Sequence, residues 1–304
     1  MRGPVVRDGT SGPEESWPPL ILAVAPNGAR KTRDDHPALP MTPTEIAACA
    51  AACVEAGAAM IHLHVRDRDG RHTLDARAYR AAIEAVRQAT GDRLVIQATT
   101  EAVGVYGPEQ QIAMVHEVKP EAVSLALREI VPDAAHEKPA AEFLAWLKAE
   151  GILPQYILYS DQDLARFDDL IARGVVPGGP QFALFVLGRY AAGQRSRPAE
   201  LLPFLAANAA GHAWAVCAFG PRETACAVTA AALGGHVRVG FENNLYLPDG
   251  ALAPDNAALV AAAAAGAASI GRPLADAAAA RAIMAGLDLP AGADTREHAR
   301  HAGP

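Results

Sequence analysis

Ala59 to Val65 reads AMIHLHV, a short apolar run carrying His62 and His64 two residues apart. Seven runs of the same kind flank it: LILAVA from Leu20, RLVIQAT from Arg93, EAVSLAL from Glu121, LPQYILY from Leu153, QFALFVL from Gln181, AWAVCAF from Ala213 and HVRVGFE from His236. Their starts recur about every 31 residues, the length of a strand, a crossover helix and the next strand. The stretches between them carry helix start signals, Thr42-Pro43 and Asp255 each standing ahead of apolar periodicity. Strands that are nearly continuous in apolar residues belong to a parallel sheet covered on its faces. Eight such units predict an α/β fold, a (β/α)8 TIM barrel. A doubly wound sheet is the competitor, but the segment after the first run, APNGARK, lacks the GxGxxG spacing of a dinucleotide loop.

Composition agrees with one folded domain. The chain has 304 residues, and its 51% hydrophobic content is ample for a core and excludes disorder of the bulk. A net charge of −7 argues against a general nucleic-acid surface, which needs clustered Lys and Arg. The most apolar stretch, Ala257 to Gly271, is Ala-rich, interrupted by Gly266 and Ser269, and too weak to span a membrane. Residues 1–17 and 290–304 are read as disordered tails around a barrel domain of residues 18–289. Four cysteines are too few for a disulfide framework in this length; Cys49 and Cys53 share a helix face, and Cys217 and Cys226 read as packing residues too. Reduced thiols and the missing signal peptide place the protein in the cytoplasm.

Chemistry in such a barrel gathers at the C-terminal ends of the strands. Residues i and i+2 on a strand point the same way, so His62 and His64 can enter the mouth together as ligands for Zn2+. By the same alternation Arg238, Gly240 and Glu242 share one face of the eighth strand, and the even strands contribute to a common layer. Glu242 then completes a His2Glu set that leaves a coordination position open, as catalytic zinc requires. Hydrolytic amidohydrolase-type barrels carry their HxH pair on the first strand, with further histidines ending strands five and six. Here those strands end in Tyr159-Ser160-Asp161 and Leu187-Gly188, so that chemistry is disfavoured.

The segments APNGA, TRDDHPALPMTPTEIA, AGAAMIHLHVRD and GGHVRVGFENN together resemble the β-keto acid cleavage enzymes, from about Leu20 to Leu287. The resemblance implies a zinc-bearing barrel, usually a homotetramer with a homodimer as the alternative. It also implies a reaction of a β-keto acid with acetyl-CoA that yields acetoacetate and a shortened acyl-CoA. Arg238 resembles the family arginine that tunes the base and steadies anionic intermediates, and Thr99 matches a hydroxyl that helps hold the substrate carboxylate.

Two departures from the founding pattern matter. Asn243 stands where the founding member has an aspartate base, and an amide has no useful basicity. Arg30 stands where the founding member has a glutamate. The segments TTEA (Thr99, Thr100, Glu101, Ala102) and LALRE add Glu101, Arg128 and Glu129 at the mouth, with Glu101 the first replacement base, directly or through water. Arg30 and Glu101 alternatively just pair with each other. Losing an acid and gaining Arg30 and Arg128 favours a neutral or anionic β-keto acid over an aminated one. After the sixth strand, Arg189, Arg195 and Arg197 suit the phosphates of CoA. A metal-dependent aldolase or lyase without CoA transfer is the alternative reaction, and a non-catalytic metal- or metabolite-binding relative the third reading.

Overall fold

The computed structural model describes residues 17–179 and 181–287. Apart from Trp17, the two tails read from the sequence lie outside the described residues. Eight parallel strands close into a barrel: β1 (Leu22–Val24), β2 (Met60–Leu63), β3 (Val95–Thr99), β4 (Ala122–Ala126), β5 (Leu153–Leu158), β6 (Phe182–Leu187), β7 (Ala213–Ala218) and β8 (His236–Val239). Each pairs with its sequence neighbours, and β8 closes on β1 through Leu22↔Val237 and Val24↔Val239. Every run read as a strand from the sequence is one. A small antiparallel hairpin, Val65–Arg66 with His72–Thr73, follows β2 and has no counterpart in the sequence reading.

Ten helices, all preceding the C-terminal end of the described chain, wrap the strands: α1 (Pro43–Glu55), α2 (Ala76–Thr90), α3 (Pro108–Val118), α4 (Leu127–Ile130), α5 (Glu137–Glu150), α6 (Asp161–Ala172), α7 (Leu202–Ala207), α8 (Glu223–Ala232), α9 (Asn256–Ser269) and α10 (Ala277–Met284). The expected start signals work as read. Thr42 and Glu45 form a reciprocal capping box with Pro43 in the first turn of α1. Asp255 caps α9 by accepting from Ala258 N at 2.8 Å. Among the described residues no helix is long and apolar enough to cross a membrane.

Apolar side chains form two cores. One lies between the strands and the helices, built from residues such as Ile61, Ile96, Val123, Phe185 and Leu259. The other fills the barrel itself with Met60, Val95, Leu184 and Cys217, and continues to Ala280 and Met284 of α10, packed on that same core. Cys217 packs inside the barrel on its strand, as the run AWAVCAF implies, and all four cysteines are free.

A buried arginine ties the start of the described chain to its end. Arg272, 2% exposed, donates to Pro18 O, Ala231 O, Gly235 O and Gly234 O. Burial lowers its pKa to about 10, and no carboxylate among the described residues pairs with it. The Arg272→Met protein leaves these carbonyls without donors in a place water reaches poorly. We expect a loss of about 3 kcal/mol of stability, read as a lower urea midpoint at unchanged slope. An unchanged midpoint would mean that the carbonyls find other donors.

Candidate active site

His62 lies on β2 and His64 one residue past its end, so both imidazoles reach the mouth, 1% and 0% exposed. Glu242 arrives by a different route from the one expected. β8 ends at Val239, and its register sets Arg238 level, through Ala23, with Met60 rather than His62. The chain then turns at Gly240, whose φ is +138° and where a Cβ would meet Ala25 O at 2.4 Å. Glu242 N donates to Ala25 O at 3.1 Å, and Asn243 N and Asn244 N return to Gly240 O. A tight turn, not strand alternation, lifts Glu242 to the histidines.

Other side chains brace that turn. Glu223, the first residue of α8 and fully buried, accepts from Gly240 N at 3.0 Å and Asn244 Nδ2 at 3.2 Å, and burial pushes its carboxyl up to about 8. Asn256 accepts from Phe241 N and donates to Pro26 O. Gly28, at φ +60°, sits where a Cβ would lie 2.6 Å from Glu242 Cγ, so only glycine lets the first loop close over the ligand. Arg66, the arginine of the IHLHVRD segment, shapes that loop by donating to Gly28 O, Ala29 O and Lys31 O.

Three donor atoms converge. His62 Nε2 and His64 Nε2 are 3.1 Å apart, and Glu242 Oε2 lies 3.6 Å from the first and 3.2 Å from the second. Donors 2.0–2.1 Å from a tetrahedral ion sit about 3.3 Å from one another, so these separations fit a zinc-sized cation without rearrangement. The chemistry fits as well. His62 Nδ1 donates to Gln97 Oε1 at 2.8 Å, while Gln97 Nε2 donates to Gln155 Oε1 at 3.2 Å, which fixes the amide and leaves the His62 Nε2 lone pair facing the gap. Burial, then the charge of Arg238, holds His62 well below the ordinary histidine range and so neutral. Burial opposes the Glu242 carboxylate, but the charge of Arg238 outweighs it and holds its pKa well below the usual range. Arg238 Nη2 donates to Glu242 Oε1 at 2.8 Å, leaving Oε2, which is buried, with no hydrogen-bond donor among the described residues. Among those residues this is the one group of three His, Cys, Asp or Glu side chains able to hold a metal together.

A cavity of about 270 Å3 opens on His62 and Glu242 of this group. Thr99, Thr100, Arg30, Glu101, Glu129 and Arg238 line it, as read from the sequence, and so does Arg189. Thr99 Oγ1 accepts from Glu101 N, and Thr100 Oγ1 donates to Ser124 O. Arg30 Nη1 meets Glu101 Oε1 at 2.5 Å, so the pairing alternative is what the fold contains. Four expected residues are not in the cavity wall. Arg128 turns away onto the Tyr159 ring and pairs with Asp163 at 2.6 Å, because α4 begins directly at the end of β4 and rotates it outward. Arg195 and Arg197 are exposed beyond the cavity lining. Asn243 is buried outside that lining, with neither amide atom partnered among the described residues.

The sequence reading missed Gln97, Gln155, Ser124 and Lys31. A glutamine inside the apolar run RLVIQAT was a usable signal for the first. Lys31 donates to Glu242 O at 2.6 Å, and burial lowers its pKa.

Residues 19–285 match the profile of the β-keto acid cleavage enzymes. The chain belongs to that family. It is 33% identical over 249 residues to a 3-keto-5-aminohexanoate cleavage enzyme of Fusobacterium nucleatum, covering 79% of this chain and 88% of that one. A protein of the same name from Acetoanaerobium sticklandii is 30% identical, with 87% and 97% covered. A 3-oxoadipate:acetyl-CoA acetyltransferase of Cupriavidus necator is 31% identical, with 88% and 94% covered. In three dimensions this β-keto acid cleavage family member superimposes on ObcA bound to oxaloacetate with a TM-score of 0.65 at 18% identity, over 83% of this chain and 68% of that one, a likeness of fold.

Proposed function

We propose that the protein is a zinc-dependent acyltransferase that takes a β-keto acid and acetyl-CoA to acetoacetate and a new acyl-CoA. The observation that carries this reading is the convergence of His62 Nε2, His64 Nε2 and Glu242 Oε2 at the cavity of a barrel in this family. Relatives named for acetyl-CoA transfer, such as the 3-oxoadipate enzyme, support the co-substrate. Zinc held there would polarise the keto carbonyl of the acid and lower the cost of the enolate.

The remaining work falls to the chain's own side chains. Thr99 and Ser124 present hydroxyls to the substrate carboxylate, with Thr100 behind them. Arg238, with Nε and Nη1 free of partners among the described residues, offers N–H donors to anionic intermediates. The C2 carbanion attacks the acetyl thioester and releases CoA thiolate. The thiolate adds to the original keto carbon, the C2–C3 bond breaks with its electron pair left on C2, and C2 takes back the proton lost at the start, giving acetoacetate and the acyl-CoA. Arg189 suits an anionic part of the CoA chain at the mouth. Ala126, Ile157, Val186 and Phe219 form an apolar wall, and the Arg30–Glu101 pair cancels its own charge. Both favour a neutral side chain on the β-keto acid, with an anionic one next. The free cysteines and the family resemblance support a cytoplasmic homotetramer or homodimer.

The test is mass spectrometry of CoA esters from zinc-loaded protein, acetyl-CoA and a panel of cationic, neutral and anionic β-keto acids. We expect a new acyl-CoA with acetoacetate in equal amount. No new CoA ester from protein that holds zinc would favour the second reading, a metal-dependent aldolase or lyase, which Asn243 supports by removing the family base.

A further inference from the structure

Acyl transfer must begin by taking a proton from C2 of the β-keto acid, and Asn243 can take none. Four carboxylates line the cavity: Asp35, Glu101, Glu129 and Glu242. Three are committed elsewhere. Glu242 gives one oxygen to Arg238 and turns the other to the imidazoles. Glu101 has Oε1 against Arg30 at 2.5 Å and Oε2 3.8 Å from His64 Nδ1. Asp35 is exposed and closes its own turn by accepting from Thr32 N at 2.7 Å.

Glu129 differs from all of them. Ala102 N and Gln111 Nε2 both donate to its Oε2, each at 3.0 Å, and Gln111 is itself anchored on Thr100 O. Oε1 accepts no hydrogen bond and no cation pairs with it among the described residues, so one oxygen is fixed and the other is left unpartnered on a side chain that lines the cavity. α4 carries it directly above β4, whose Ser124 stands in register with Thr99, the two hydroxyls that suit the substrate carboxylate. C2 is the carbon next to that carboxylate. We propose that Glu129 is the general base for C2 of the β-keto acid, an inference that rests on the acyl-transfer reading. The C2–H bond breaks, the proton goes to Glu129 Oε1, and the bonding pair enters the enolate through C3 and its oxygen. No further reactant is needed. Burial also raises the pKa of this carboxyl above its ordinary value, which suits proton abstraction.

Acetoacetate is itself a β-keto acid and the common product, so it serves as probe whatever the natural side chain. Its C2 deuterium uptake in D2O, with zinc-loaded protein and no acetyl-CoA, reads the proton step alone by proton NMR. Glu129→Gln keeps an acceptor for Ala102 N and Gln111, and should lower the catalysed exchange by about 100-fold or more. Zinc content and acetoacetate affinity should stay unchanged. Added acetate should restore part of the exchange to Glu129→Ala. Exchange in Glu129→Gln at the wild-type rate overturns the proposal, and loss confined to Glu101→Gln moves the base there. A wild-type protein that forms CoA esters without catalysing exchange overturns Glu129 alone. One that does neither removes the acyl-transfer reading with it.

Discussion

His62→Ala protein is expected to fold, to lose its metal, and to lose acetoacetate formation by about 10⁴-fold, the equivalent of about 5 kcal/mol of transition-state stabilisation. The size follows from what the imidazole does. Among the described residues its Nε2 is one of the three side-chain donors that could hold a metal together, and its Nδ1–H is tied to Gln97. The fold should survive because β2 keeps Met60, Ile61 and Leu63 in their cores. Glu242→Gln separates charge from shape: Arg238 can still donate to the amide oxygen, but the site loses its one anionic ligand. Metal content by plasma mass spectrometry and turnover on the same sample check both variants. Wild-type zinc content and turnover in His62→Ala would mean that the triad is not the metal site.

Much of this site was legible in the sequence, and the reasons are physical. The eight apolar runs are strands because a parallel strand buried on both faces has no polar alternation to disguise it. His62 and His64 were legible because a pair two apart on a strand needs no tertiary knowledge. Glu242 was found through a faulty route. Alternation was carried past Val239, whereas Gly240 breaks the strand and the turn does the placing. Arg128 was misplaced because a four-residue helix starts where the strand stops, which rotates the side chain onto Tyr159. Gln97 and Gln155 pair across 58 residues, a contact that exists only once the barrel closes. Glu129 was placed at the mouth, but its distinction from Glu101 depends on which oxygen each N–H donor occupies, and no spacing encodes that.

Arg238→Met should lower kcat by about 10³-fold, the scale of removing a buried donor aimed at developing negative charge. Arg238 is 4% exposed, and its Nη2 already serves Glu242 and Cys217, while Nε and Nη1 have no partner among the described residues. Burial works against its charge, but Cys217 and Glu242 outweigh that and hold the group fully protonated. Arg238→Lys should not rescue, since a point ammonium cannot reproduce the planar fork. Stability provides an independent reading. Without metal the methionine variant strands the Glu242 carboxylate without its arginine, a loss of about 3–5 kcal/mol for breaking a buried pair. Bound zinc supplies the missing positive charge, so the rise in Tm on adding zinc should be larger in Arg238→Met than in the wild type. A fallen kcat with an unchanged zinc increment would place the arginine's value in the reaction alone. An enlarged increment with wild-type kcat would make it a counter-ion for Glu242 and nothing more.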